Sequence, residues 1–325
     1  MRNSPGFSRW LATIVFTFAF LALTPTSRAV QVTVDCSKPA AMHRTIKDAL
    51  AHLPTVGPNT LLVSGTCREN VSIQGFDRLT IQGHPTATVD GGSDVNSVTF
   101  DILESHEVTV KNVTLTGGGS GAQCSLQSLC RFIDVTIQNS LGGGILVANG
   151  AFAFLDLVTI QKNAGDGLVL GSGGDATLAG STVQGNGGNG VNIAAGARVT
   201  VASDIETGTV PTVIQNNSGH GFLAGTHTGF ALHGPTISGN VGDGVRLGGG
   251  AAGVLDSTAI TSNTGHGVRI GDLSFVAFIG SNNITGNKTN DIVCDPQFSA
   301  TRGVDGPVSN GSTTNCPNPE PPRNP

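Results

Sequence analysis

The chain has 325 residues, 47 of them Gly and only 12% charged, with 17 Lys plus Arg against 22 Asp plus Glu for a formal charge of −5. A nucleic-acid binder needs clustered basic side chains to neutralise phosphates, so that class is excluded. Tyr is absent and Trp10 is the only Trp, which removes the rings that offer a sugar an apolar body with a polar tip.

Arg2 and Arg9 precede the apolar run WLATIVFTFAFLAL, and TPTSRA leads to a cut after Ala29. The charged, apolar, small-residue order predicts a secretory signal peptide over 1–29. Its apolar run is about 14 residues, short of the roughly 20 needed to span a bilayer. The expected address is secreted, periplasmic or cell-surface, with no membrane span after cleavage. Cleavage removes Arg2, Arg9, Arg28 and Trp10, leaving 14 Lys plus Arg against 22 Asp plus Glu, a formal charge of −8. That balance argues against a long groove for an acidic polysaccharide.

Residues 30–59 read as an N-terminal cap. TIKDALAHL from Thr45 spaces Ile46, Ala49, Leu50 and Leu53 along one helical face, with Thr45 as the cap residue. Six Cys remain after the leader: Cys36, Cys67, Cys124, Cys130, Cys294 and Cys316. An even count in an exported chain favours disulfides, and pairing of sequence neighbours is the simplest connectivity. No C-x-x-C pair with a second ligand pair exists, so no thiolate zinc site is assigned.

Residues 60–294 carry a repeat. IQNSLGGGI from Ile137, IQKNAGDGL from Ile160, VQGNGGNGV from Val183, IQNNSGHGF from Ile214, ISGNVGDGV from Ile237, ITSNTGHGV from Ile260 and ITGNKTNDI from Ile284 align without gaps. Their starts are 23, 23, 31, 23, 23 and 24 residues apart, and an insertion such as SDIETGTV accounts for the long interval. A fixed period of this size means stacked coils. Each period holds three short β-branched runs bounded by Gly and Asn, which read as strands. The predicted fold is all-β: a right-handed parallel β-helix solenoid with three strands per coil. Roughly ten coils would make a rod near 50 Å long.

Asn163, Asn186, Asn217, Asn240, Asn263 and Asn287 recur at the fourth repeat position. An amide both donates and accepts, so an inward stack of them can satisfy backbone groups in a buried turn. Residues 295–325 lose the repeat and read as a C-terminal cap and a Pro-rich disordered tail. GGNGVNIAA approximates a calcium-binding nonapeptide, but that motif needs tandem copies. No metal and no cofactor is assigned, and nothing in the sequence sets an oligomeric state.

The TIKDAL helix, NTLLVSGTCRENVSI and the repeated N-x-x-G-V-x-I coils together resemble the pectin lyase-like family of right-handed parallel β-helix proteins. The opening segment is similar to that of pectin methylesterases. The resemblance covers about 30–294. It implies the fold and a polysaccharide partner, while the superfamily's activities include lyases, hydrolases, esterases, epimerases and proteins without known activity.

The residue between the two repeat glycines is free to vary: Gly143, Asp166, Asn189, His220, Asp243, His266 and Asn290. Three residues on, the outward strand position reads Leu146, Val169, Asn192, Leu223, Arg246, Arg269 and Val293. Polygalacturonases of the resembled superfamily carry N-T-D, D-D, G-H-G and R-I-K on successive coils. This chain keeps Asp166 and His220, has Asn189 where D-D is expected, and has GDGVRL in place of R-I-K. The family's catalytic set is therefore not carried over. Glycosidase carboxylates stand about 5–9.5 Å apart, whereas Asp166 and Asp243, three coils apart, would be about 14 Å apart. The candidate catalytic group is His220, Asp243 and His266, where adjacent His and Asp can serve acid–base chemistry. Arg246, Arg269 and Asn192 are the candidate substrate-binding residues, the Arg pair suiting a carboxylate or sulfate. The competing expectation is a solvent-facing turn that tolerates any small polar residue. The preferred expectation is a glycan-binding or structural module without catalysis; the alternative is a lyase, hydrolase or epimerase acting on polysaccharide.

Overall fold

The computed structural model describes residues 29–271 and 273–295, together with 304–305 and 316. All but the last residue of the leader predicted over 1–29, and nearly all of the predicted C-terminal cap and tail, lie outside the described residues.

Ile137, Ile160, Val183, Ile214, Ile237, Ile260 and Ile284 stand opposite one another on parallel neighbouring strands. All seven are fully buried. The repeat thus becomes a column, with each coil placing its isoleucine or valine on the one below. A complete coil is shown by Ile145–Val147, Phe152–Asp156 and Thr159–Gln161. The first of these strands belongs to a 10-stranded parallel sheet that runs from Val71–Gln74 to Ile292–Cys294. The other two belong to a 19-stranded sheet. Alternate residues point into the core or out to solvent, as in any strand, so the core is a continuous apolar column inside the coils.

Two local rules make the coil close. The residue before each ladder Asn has positive φ, from 55° at Lys162 and Asn216 to 69° at Gly286. That left-handed residue turns the chain sharply, which explains the run of Gly, Asn and Ser there. The second repeat glycine lies against the next coil. A Cβ on Gly221 would come 2.5 Å from Ile237 Cγ2 and 2.7 Å from both Asn240 Nδ2 and the Gly244 carbonyl.

At the N-terminal end, Val30–Asp35 pairs in parallel with Val56–Arg68, so this segment adds a rung to the sheet. The helix spans Ile46–Ala51, with the Thr45 side chain accepting from the Asp48 N–H. Ile46, Ala49, Leu50 and Leu53 are buried. The Glu69 carboxylate accepts the Ile46 and Lys47 N–H groups at 2.7 and 3.0 Å, tying the helix start to the second coil. Disulfides join Cys36 to Cys67, Cys124 to Cys130 and Cys294 to Cys316. The long interval between repeats is a loop folded around Asp204. Its carboxylate accepts from the Val210 N–H at 2.5 Å and from the Thr207 N–H and hydroxyl at 2.8 and 2.7 Å.

Candidate functional site

Both side-chain rows singled out in the sequence are stacked by the coils. In the inner row, each Asn Oδ1 accepts the backbone and side-chain N–H groups of the preceding Asn at 3.0–3.1 Å, from Asn163 through to Asn287. The row ends where Asn287 Nδ2 donates to Asp291 Oδ1.

The outer row behaves differently from a tolerant solvent-facing turn. From Asp166 to His266, the side chain of each variable residue accepts the backbone N–H of its successor one coil on. Asp166 Oδ1 accepts from Asn189 at 2.5 Å, Asn189 Oδ1 from His220 at 2.8 Å, and His220 Nδ1 from Asp243 at 2.8 Å. Asp243 Oδ1 then accepts from His266 at 2.8 Å, and His266 Nδ1 from Asn290 at 3.2 Å. An N–H pointing at Nδ1 demands a lone pair there, so both imidazoles carry their proton on Nε2. Burial pushes the His220 imidazole below its ordinary value. The Asp243 charge opposes that shift, and Arg246 and Arg269 reinforce it.

His220, Asp243 and His266 are thus brought together on consecutive coils, with Asp243 only 4% exposed. Asp243 Oδ2 lies 3.6 Å from His220 Nδ1 and 3.9 Å from Arg246 Nη1, and it is buried without a hydrogen-bond partner. Arg246 and Arg269 are direct cross-strand neighbours. The Arg269 Nε bonds both oxygens of Asp295 at 3.1 and 3.2 Å. Asn192 stands apart, separated from Arg246 by Leu223, and donates to Asp166 Oδ2 at 2.7 Å.

Sequence reasoning missed a cleft on the 19-stranded sheet. It has a volume of about 520 Å³ and is lined by residues of several coils, among them Thr60, Thr80, Thr109, Arg131, Phe152 and Phe154. Thr60, Thr80, Thr109, Arg131 and Phe154 form a single cross-strand row. The Arg131 guanidinium sits 5.0 Å from the centre of the Phe154 ring, within cation–π range. Arg78 and Glu107 stand at the exposed margin. The available signal was FAFLD, where alternation turns two Phe outward and leaves Ala153 and Leu155 inside.

Residues 98–230 match a family model described as the right handed beta helix region. In structure the chain is similar to pectate lyase Pel9A, at 13% identity and a TM-score of 0.58, over 81% of this chain and 78% of that one. It is also similar to a mutant of the periplasmic alginate epimerase AlgG, at 11% identity and a TM-score of 0.53, over 87% and 84% of the two chains. No curated protein sequence matches it. Stacked coils, parallel sheets and the internal amide ladder define an all-β solenoid. The chain is a right-handed parallel β-helix repeat protein with a pectate lyase-like fold. Among the described residues no helix is long and apolar enough to cross a membrane.

Proposed function

We propose that the protein is an exported glycan-binding β-helix without catalytic chemistry of its own. The observation that carries this reading is the cleft over Phe152 and Phe154. Its volume of about 520 Å³ falls inside the roughly 300–1,000 Å³ of small-ligand sites. A pyranose ring has an apolar C–H face and a rim of hydroxyls. The two Phe rings supply the apolar floor, and Arg131, Glu107 and the Thr row supply donors and acceptors at its edge. The similar folds named above are called after polysaccharides, pectate and alginate, which supports the same class of partner. Catalysis on the outer row is disfavoured because the groups with acid–base chemistry are already spent. Both histidines accept backbone N–H groups through Nδ1, and Asp243 is buried on the coil between them.

One observation favours the enzymatic alternative: the unpartnered Asp243 Oδ2 close to His220 and Arg246. A panel of uronic-acid and neutral oligosaccharides, followed for binding by calorimetry and for turnover by product analysis, separates the readings. The expected result is binding without turnover. Turnover abolished by Asp243→Asn establishes the enzyme instead, and no binding to any glycan leaves a scaffold.

A further inference from the structure

His43, Asp48 and His52 meet at the N-terminal end of the rod, away from both sites above. Each offers one ligand atom, and these atoms all lie within 4.8 Å of one another. His43 Nδ1 is 2.7 Å from Asp48 Oδ2, and His52 Nδ1 is 3.8 Å from Asp48 Oδ1. The two imidazole centroids are 5.5 Å apart. A zinc ion about 2.1 Å from one nitrogen of each ring would lie about 3.2 Å from each ring centre. At a tetrahedral angle the centres would then be about 5.2 Å apart. The rings are already close to that separation.

We propose that these three residues form a binding site for a late first-row divalent cation such as Zn²⁺. Two neutral imidazoles and one carboxylate are the donor set such ions take, with a fourth position left for water. The cysteine pattern spoke only against thiolate ligation, and this donor set is independent of it. The fold holds the three residues in place. His43 is pinned by its carbonyl, which accepts the Asp35 N–H at 3.1 Å, and its side chain is 11% exposed. Asp48 lies in the first helical turn, and His52 is the C-cap residue four positions on. His52 is 67% exposed, which leaves the site open to solvent. A bound ion would clamp the segment before the helix to the helix end.

Without metal, hydrogen bonds occupy the same atoms: His43 Nδ1 donates to Asp48 Oδ2, and His52 Nδ1 donates to the Asp48 carbonyl at 2.8 Å. Binding through those nitrogens would replace both hydrogen bonds, each neutral ring carrying its proton on Nε2 instead. The test is calorimetric titration of tag-free, chelator-treated full-length protein with Zn²⁺, with Co²⁺ absorption as a check on coordination. The expected result is one saturable equivalent at pH 7.5. His52→Ala and Asp48→Asn should each weaken it at least about tenfold. His52 is exposed, so its variant keeps the fold. The absence of saturable binding, or binding that His52→Ala leaves unchanged, overturns the proposal.

Discussion

His220 does the work of an asparagine. Its Nδ1 accepts the N–H of Asp243 just as the Asn189 amide oxygen accepts that of His220. His220→Asn therefore preserves the bond, and urea unfolding should find it within about 0.5 kcal/mol of the parent. His220→Val leaves a half-buried N–H without its acceptor and should cost about 1–2 kcal/mol. Burial depresses the folded-state pKa below the ordinary 6.5, so the unfolded chain binds the proton more readily. The His220 contribution is present above about pH 6.5 and is lost as pH falls below it. The His220→Asn variant should then lose less stability than the parent between pH 7 and pH 5. A parent whose stability relative to His220→Asn is flat across that range contradicts the ladder. The inner row gives a sharper test. Asn217 joins Asn186, Asn240 and the Val183 carbonyl through four hydrogen bonds. Asn217→Ala orphans several buried groups at about 1–3 kcal/mol each, so unfolding should show a loss of about 3 kcal/mol or more. The six-fold recurrence of Asn made this row legible in the sequence. The outer row was not legible as a ladder, because Asp, Asn and His look unrelated until their shared acceptor atom is seen aimed at a backbone N–H.

At the scale of the element, the coil is set by where side chains are absent. Gly221 lies against the side chain of Ile237 and the Gly244 carbonyl one coil on. Gly221→Ala forces a methyl into that contact and should destabilise by about 2–3 kcal/mol, read from the urea midpoint. A neutral result would mean that neighbouring coils are not packed as closely as described. Strand identity and register were readable from the period of 23 and the T-I, V-x-I and third apolar runs. The N-terminal helix was readable from TIKDAL and forms at Ile46–Ala51. What escaped sequence reasoning was Val30–Asp35 as a rung of the sheet. It lacks the repeat's Asn and Gly, and only its pairing partner gives it away.

The whole molecule is a rod in which each coil contacts chiefly its neighbours, so rows of side chains become surfaces. Two surfaces matter. The outer ladder runs along the 10-stranded sheet edge and is occupied by its own hydrogen bonds. The cleft lies on the 19-stranded sheet, and the Phe152 and Phe154 rings that floor it are half-buried on the outward side of their strand. Its residues are drawn from five coils, and all but Phe152 and Phe154 precede the first repeat copy at Ile137, which is why the sequence pointed to the periodic edge instead. The division between a structural edge and a binding cleft is tested most directly by calorimetric affinity for the tightest glycan of the panel. Phe154→Ala, which removes a ring from the cleft floor, is to be compared with His266→Asn, which preserves the ladder but removes the imidazole. The account predicts at least about tenfold weaker binding for Phe154→Ala and unchanged binding for His266→Asn. Unchanged binding for Phe154→Ala together with loss for His266→Asn would contradict it and return the function to the His–Asp–His edge.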